Sequence, residues 1–188
     1  PKVVYDRGNS SVFRLNLNHL PEDVYRETRL FHISGITLAL PQIRETAVEA
    51  IRRFREGGAL ISLDVNYRAN LWNEETAYRV LSGVLPFVDV LFVSEESSRR
   101  MFRKTGTLEE IMKSYCTEYG VQIVATTARK VVSSREHGWS STIYSAAKDR
   151  FFKGEPYESI SVVDRIGSGD AFDAGTLYGL LAKGDESA

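Results

Sequence analysis

The chain has 188 residues, of which 43% are hydrophobic and 26% are charged, so it can bury a core and has the composition of a globular domain. Its formal net charge is −1 with acidic and basic residues interspersed, which gives no basic patch for nucleic acid or an anionic membrane surface. No apolar run approaches the roughly 20 residues of a membrane span, and the first residues do not resemble a signal peptide.

The hydrophobic pattern predicts strands and helices that alternate along the chain. Short apolar runs predict strands at residues 30–34, 59–64, 88–93 and 121–126. Helical spacing of apolar residues predicts helices at residues 41–55, 74–85, 95–102, 108–119 and 169–182. Near-continuous apolar strands separated by amphipathic helices predict an α/β fold whose parallel sheet is covered on both faces.

Polar residues follow three of the predicted strands, where a parallel sheet places its ligands. Residues 64–68 read Asp-Val-Asn-Tyr-Arg, residues 94–96 read Ser-Glu-Glu, and residues 126–127 are two threonines. We therefore expect one binding site along this rim. The planar guanidinium of Arg68 suits a carboxylate or a phosphate, although a solvated loop with a surface Arg–Asp pair would have the same composition.

Residues 164–175, Asp-Arg-Ile-Gly-Ser-Gly-Asp-Ala-Phe-Asp-Ala-Gly, follow a strand-like apolar run at 160–163 and open the last predicted helix. Two glycines around Ser168 predict a tight turn at a helix N-terminus, where backbone N–H groups bind anions. Asp170 would repel an anion, so its position suggests that it accepts a proton from a hydroxyl that attacks phosphorus. An ordinary strand–turn–helix, with Asp170 as a helix-start acid, remains the structural alternative.

Other motifs fit less well. A P-loop would need a lysine after the glycines, and a dinucleotide fingerprint would need a third glycine where Phe172 stands. The three histidines have no spacing that indicates a shared metal, and Trp72 is expected to pack rather than to stack on a ligand. The single cysteine, Cys116, excludes a disulfide scaffold and a thiolate metal site, and it predicts a cytoplasmic protein with Cys116 half-buried on a helix.

The 164–175 motif resembles the signature of the ribokinase/PfkB family of sugar kinases, in the form of the 2-keto-3-deoxygluconate kinase branch. The resemblance implies a ribokinase-like three-layer α/β/α fold with a mostly parallel sheet. It implies that residues 1–18 are a lid or substrate-contact segment, that residues 30–188 are the α/β core, and that much of the lid and the terminal parts are missing. It also implies that Asp170 is the general base, and that Gly167, Ser168 and Gly169 form the anion hole.

The substrate-binding residues also come from this resemblance. Residues 62–68, followed by Leu-Trp, are similar to ketodeoxygluconate kinases, in which Arg68 would touch the sugar acid and Asn66 would lie on the nucleotide side. Tyr5 and Arg7 match a pair that contacts the substrate. Two arginines around one small molecule favour an acid such as 2-keto-3-deoxygluconate over a neutral hexose.

The cofactors implied are ATP and Mg²⁺. No metal ligand is assigned, because Ser94 and Ser97 stand where the family often carries the asparagine and glutamate that organise Mg²⁺. The resemblance places the family's glycine-containing nucleotide loop at residues 125–130, where this chain is threonine-rich and lacks the glycines.

Three alternatives stay open: a kinase of a neutral sugar, a non-catalytic sugar- or nucleotide-binding regulator of the same fold, and a dehydrogenase-like domain. Family members run to roughly 300 residues, so we expect the chain to be an internal fragment. In such kinases the lid often pairs subunits, which allows a homo-oligomer of the complete protein.

Overall fold

The computed structural model describes residues 10–133, 135–164 and 166–183. The strands in these ranges are β1 (Leu30–Ser34), β2 (Leu60–Asp64), β3 (Val90–Phe92), β4 (Ile123–Val131), β5 (Glu136–Ser145), β6 (Arg150–Lys153) and β7 (Tyr157–Ser161). The α-helices are α1 (Glu22–Glu27), α2 (Gly35–Ala39), α3 (Pro41–Glu56), α4 (Glu74–Val84), α5 (Glu95–Arg100), α6 (Leu108–Tyr119) and α7 (Ser168–Lys183). Short 3₁₀ helices occupy Ser11–Arg14, Leu17–His19 and Leu85–Phe87.

These strands form a single sheet with a parallel half and an antiparallel half. The spatial order is β1-β2-β3-β4-β5-β6, with β7 paired to β5. The pairs from β1 to β4 are parallel, which confirms the predicted α/β class, whereas every pair that involves β5 is antiparallel. The sequence did not predict β5 or β6. The strand predicted at residues 121–126 begins at Ile123 and continues to Val131.

Helices cover both faces of the parallel half. On one face Ile61 and Leu63 are fully buried and belong to the large core that also includes residues of α1 to α4 and α6. On the other face Phe92 and Ala125 pack with Leu177 of α7 in a smaller cluster. This arrangement of helix, sheet and helix is the predicted ribokinase-like three-layer fold.

Helix α3 shows why the helix predictions succeeded. Its four residues at helical spacing, Ile43, Ala47, Ile51 and Phe54, are all buried, as the pattern predicts. Pro41 stands at its start, where the missing N–H costs nothing, and its last turn is followed by Gly57. Helix α6 begins at a capping box formed by Thr107 and Glu110 and covers the predicted range.

An ion pair between exposed Arg55 and buried Asp89 joins α3 to the amino ends of the parallel strands. The Arg55 guanidinium donates to both carboxylate oxygens of Asp89, at 2.6 and 2.5 Å. Oδ2 of Asp89 also accepts the backbone N–H of Ile61 at 2.8 Å. This contact fixes the end of the sheet opposite to the predicted site.

Two of the structural expectations for single residues are confirmed. Trp72 is buried in the core, with the Arg44 guanidinium 5.8 Å from its ring centroid. Cys116 lies half-buried on α6, where burial raises the pKa of its thiol to about 11.

None of the helices that the structure describes is long and apolar enough to cross a membrane.

Candidate active site

The carboxyl ends of β2 and β3 and residues 125–127 within β4 meet the first turns of α7 at a cavity of about 510 Å³. All three predicted polar strand ends contribute to its wall, so the expectation of a shared rim is confirmed. The residues that line it are Asp64, Asn66, Tyr67, Arg68, Ala69, Glu74, Phe92, Val93, Ser94, Glu96, Ser97, Arg100, Met101, Ala125, Thr126, Thr127, Gly169, Phe172 and Asp173.

Asn66 fastens the loop after β2 to the end of β1. Its backbone has φ 35°, in the left-handed region, and its N–H donates to Oδ1 of Asp64 at 3.0 Å. Its side-chain amide donates to Oγ of Ser34 at 3.2 Å. The residue after β1, Gly35 at the start of α2, packs so closely that a Cβ there would lie 2.1 Å from the carbonyl oxygen of Val65. Only glycine permits this approach, which sets the shape of the rim.

Arg68 lies on the same loop, exposed to solvent and at the cavity wall. Its Nη1 donates to the carbonyl oxygen of the neighbouring Tyr67 at 3.2 Å. Its positive charge acts on Asp64 and opposes part of the rise in the pKa of that carboxyl. The guanidinium therefore stands where a negatively charged ligand in the cavity would meet it.

The glycine turn opens α7 beside these residues. Gly167 has φ 78°, in the left-handed region, and its carbonyl oxygen accepts the N–H of Ala171 at 2.9 Å. Gly169 lines the cavity, and Ser168 is exposed as the first residue of the helix. The structure thus brings a helix N-terminus to the cavity wall, which is the geometry that binds anions in many proteins.

Asp170 follows in the first turn of α7 and is exposed. Its negative charge raises the pKa values of Asp64 and Asp173. The pKa of His32 is lowered by burial, and the charge of Asp170 offsets part of that decrease. The Nδ1 atom of His32 lies 2.9 Å from Oγ of Ser62 on β2. Asp170 therefore stands close enough to the strand ends to act on charged groups there.

Sequence reasoning gave no role to Asp173, which the structure places in the cavity wall with only 6% of its surface exposed. The carboxyl groups of Asp173 and Asp64 both line the cavity, and each acts on the pKa of the other. Burial, aided by the charges of Asp64 and Asp170, raises the pKa of Asp173 to about 8, and burial raises that of Asp64 to about 6. Helical spacing was the available signal, since Asp173 follows Asp170 by three residues and so shares its side of α7.

The wall formed by α5 is held by ion pairs. Arg100 donates to Glu96 at 2.8 Å and to Glu74 of α4 at 2.5 Å, and Glu95 pairs with Arg99. Oγ of Ser94 accepts the N–H of Ser97 at 3.1 Å and so caps the helix. Within the described residues, no group of three or more His, Cys, Asp or Glu side chains could hold a metal ion.

The prediction that residues 125–130 form a loop is wrong, because the structure places them in a strand. The whole segment belongs to β4 and pairs with β5, because its residues satisfy their backbone groups in that ladder. Thr126 still lines the cavity, and its buried hydroxyl has no hydrogen-bond partner among the described residues. Tyr5 and Arg7, and residues 1–9 of the expected lid segment, lie outside the described residues.

Comparison with known proteins agrees with this geometry. The model of the pfkB family of carbohydrate kinases matches residues 1–187. The chain is 29% identical over 181 residues to a 2-dehydro-3-deoxygalactonokinase of Haloferax volcanii, covering 96% of this chain and 54% of that protein. It is 31% identical over 163 residues to a fructokinase of Escherichia coli, covering 85% of this chain and 48% of that protein.

The solved structure of a 2-dehydro-3-deoxygluconokinase from Thermotoga maritima superposes with a TM-score of 0.89 at 30% identity, covering 99% of this chain and 58% of that one. The chain spans about half the length of the curated relatives that it matches. Since the family model extends over almost every residue, the chain belongs to the pfkB family of carbohydrate kinases.

Proposed function

We propose that the complete protein transfers the γ-phosphoryl group of ATP to a hydroxyl of a 2-keto-3-deoxy sugar acid, with 2-keto-3-deoxygluconate as the substrate and its 6-phosphate as the product. The observation that carries the proposal is that Gly169 and Arg68 line one cavity, while Asp170, beside Gly169, is close enough to raise the pKa of Asp64 in the cavity wall. The family membership supports the reaction class, and two relatives named for 2-dehydro-3-deoxy sugar acids support the substrate class.

In this mechanism the start of α7 stabilises the phosphoryl group during its transfer. Backbone N–H groups of Gly169 and its neighbours in the turn face the developing negative charge, and the helix dipole adds to their effect. The carboxylate of Asp170 accepts the proton of the attacking hydroxyl. It can do so once phosphoryl transfer is under way, because the hydroxyl then becomes acidic.

Substrate binding rests on the cationic side of the cavity. Arg68 would hold the carboxylate of the sugar acid through paired N–H···O bonds. The family resemblance adds Tyr5 and Arg7 to the sugar side and Asn66 to the nucleotide side. Mg²⁺ would arrive with the phosphates of ATP, which is how this small, strongly hydrated ion commonly enters kinase sites. We place the reaction in the cytoplasm and leave a homo-oligomer of the complete protein as a prediction.

The substitution Asp170→Asn tests the mechanism. We expect kcat for ADP release to fall about a thousandfold in the presence of ATP, Mg²⁺ and 2-keto-3-deoxygluconate, because the amide cannot accept the proton. Nucleotide affinity should change by less than about threefold. Asp149→Asn, a change in an exposed acid paired with Lys113 away from the cavity, is the matched control. Turnover near the wild-type value in Asp170→Asn would show that Asp170 is not the base.

A kinase of a neutral sugar is the second candidate, and the identity to a fructokinase supports it. ADP release should be measured with ketodeoxygluconate, fructose, ribose and adenosine. Arg68→Gln should raise KM for the sugar acid about 10- to 100-fold and leave KM for a neutral sugar unchanged, since only the acid offers a carboxylate. A wild-type preference for a neutral sugar would remove the role given to Arg68. Tight ligand binding without ADP release would favour a regulator.

A further inference from the structure

The loop after β2, residues 65–73, is closed by one of its own side chains. Arg68 and the two residues that follow it are exposed, whereas Trp72 is buried in the core. The hydroxyl of Tyr67 donates to the carbonyl oxygen of Trp72 at 3.2 Å and so spans the exposed part of the loop. Within this span, the N–H of Leu71 donates to the carbonyl oxygen of Arg68 at 2.9 Å. Arg68 therefore lies in a closed segment of the chain.

The acceptor of the Tyr67 hydroxyl belongs to a fixed part of the molecule. Trp72 has only 7% of its surface exposed, and the Arg44 guanidinium lies 5.8 Å from its ring centroid. Nε of Arg44 donates to a backbone carbonyl oxygen of α2 at 2.7 Å. The residue after Trp72 is Asn73, which caps α4 because its Oδ1 accepts the N–H of Thr76 at 2.8 Å. The contact therefore ties the middle of the loop to its anchored end.

Tyr67 also contacts Arg68 directly. The carbonyl oxygen of Tyr67 accepts from Nη1 of Arg68 at 3.2 Å, and this is the only hydrogen bond of the guanidinium among the described residues. The edge formed by Nε and Nη2 stays open, and such an edge can bind a carboxylate through two parallel N–H···O bonds. Both residues line the cavity. Tyr67 thus holds the arginine and leaves free the edge that suits an acid.

The other charged groups on this side of the cavity pair with each other. Arg100 of α5 donates to Glu74 at 2.5 Å and to Glu96 at 2.8 Å. Burial is the largest cause that raises the pKa of Tyr67, and the charge of Glu74 raises it further. The Tyr67 hydroxyl therefore keeps its proton in neutral solution and remains a hydrogen-bond donor.

We propose that Tyr67 is a positioning residue, which orders Arg68 for the carboxylate of the sugar acid through its hydrogen bond to Trp72. The inference rests on the proposed function, because that function gives Arg68 its ligand. A loop that is ordered before the ligand arrives loses less conformational entropy on binding. Tyr67 therefore acts on the affinity for the acid and leaves the transfer of the phosphoryl group unchanged.

Tyr67→Phe in the complete protein removes the hydroxyl and keeps the ring in the cavity wall. We expect KM for 2-keto-3-deoxygluconate to rise about three- to tenfold, as for the loss of one hydrogen bond, while kcat and KM for ATP change by less than about twofold. Tyr25→Phe is the matched control, because the Tyr25 hydroxyl donates to the carbonyl oxygen of Leu17 at 3.4 Å, away from this cavity. The control should leave all three constants unchanged.

A double substitution shows whether Tyr67 acts through Arg68. In an Arg68→Gln background, Tyr67→Phe should raise KM for the acid by less than about 1.5-fold, because the group that it orders is absent. Full additivity of the two effects would give Tyr67 a separate role and would overturn the inference. An unchanged KM in the single variant Tyr67→Phe would overturn it as well.

Two measurements need no turnover. Calorimetric titration with 2-keto-3-deoxygluconate in the absence of ATP should show the same loss of affinity in Tyr67→Phe. Hydrogen exchange of the Leu71 N–H should become at least about threefold faster in this variant, since its acceptor is the carbonyl oxygen of Arg68. An unchanged exchange rate would show that the hydroxyl does not order the loop, and it would contradict the inference.

The outcomes separate this inference from the proposed function. If no sugar gives ADP release but Tyr67→Phe weakens binding of the acid only when Arg68 is present, the proposed phosphoryl transfer fails and the role of Tyr67 stands. If the acid is phosphorylated and Tyr67→Phe has the wild-type KM, the role of Tyr67 fails and the proposed function stands.

Discussion

The parallel and antiparallel halves of the sheet differ in how completely they are covered. In the parallel half Ile61, Leu63 and Leu91 have no exposed surface. In the antiparallel half all five residues of β7 are exposed, and Val131 at the end of β4 has 61% of its surface exposed. Crossover helices bury both faces of a parallel sheet, whereas hairpin-connected strands can leave a face open.

This difference matters for the candidate site. The cavity lies at the carboxyl ends of β2 and β3, beside the first half of β4. Its wall includes the first turns of α7, the helix that covers the second face of the parallel half. The buried half thus supplies a rigid frame for Asp64 and the residues that follow it. Stability and proposed chemistry are concentrated in the same half of the sheet, and substitutions there should cost most.

Leu91→Ala should have the largest effect. Leu91 lies at the centre of β3 with no exposed surface, so truncation leaves a cavity between packed layers. We expect the free energy of unfolding to fall by about 3 to 5 kcal/mol, measured by urea denaturation of the complete protein. A loss below about 1 kcal/mol would show that the parallel half is not tightly packed.

Asp89→Ala tests the opposite end of the same half. The substitution leaves the N–H of Ile61 without its acceptor and breaks the ion pair with Arg55. The free energy of unfolding should fall by about 2 to 3 kcal/mol. Asp89→Asn keeps an oxygen acceptor for Ile61 and should lose roughly half as much. Equal losses in the two variants would assign the whole effect to the ion pair.

The pH dependence of stability tests how α7 is held on the sheet. The folded protein keeps a proton on Asp173 that the unfolded chain releases near the ordinary pKa of 3.8. Its contribution is therefore complete below about pH 4, declines as the pH rises and is lost above about 8. When the pH is raised from 5 to 8, the free energy of unfolding of Asp173→Asn should gain about 3 to 4 kcal/mol relative to wild type, measured by urea denaturation at both pH values. A pH-independent difference would show that Asp173 does not keep its proton in the folded protein.

Val131→Ala should have the smallest effect. Val131 ends β4 in the open half and is 61% exposed, so little packing is lost. We expect a change within about 0.5 kcal/mol in the same urea measurement. A loss approaching that of Leu91→Ala would mean that another surface covers this end of the antiparallel half.

The same contrast explains how much of the fold could be predicted. The strands β1 to β3 are short apolar runs, and α3 and α6 have a clear helical period, so local sequence sufficed. Strand β5 contains Ser140, Ser141 and Thr142 in succession, and residues 127–130 of β4 are mostly polar. These segments are strands because they pair with each other, which is a tertiary effect that propensity does not report.

The residues of the candidate site were likewise predicted only in part. Asn66 and Arg68 follow an apolar strand, and the glycine turn precedes a helix, so position along the chain predicted their common rim. Asp173 was missed because its partner, Asp64, is distant in sequence, and an acid in a helix is commonly solvated. Only the packing of α7 on the sheet brings the two carboxyl groups together.

The close contact at Gly35 has a consequence for motion at the rim. The first turn of α2 touches the carbonyl oxygen of Val65 without an intervening side chain. Asn66 adds a second link through Ser34. A shift of the loop after β2 must therefore be accompanied by a shift of α2. Any closure of the rim around a ligand would then be a collective hinge movement of both elements, and not an independent fluctuation of one loop.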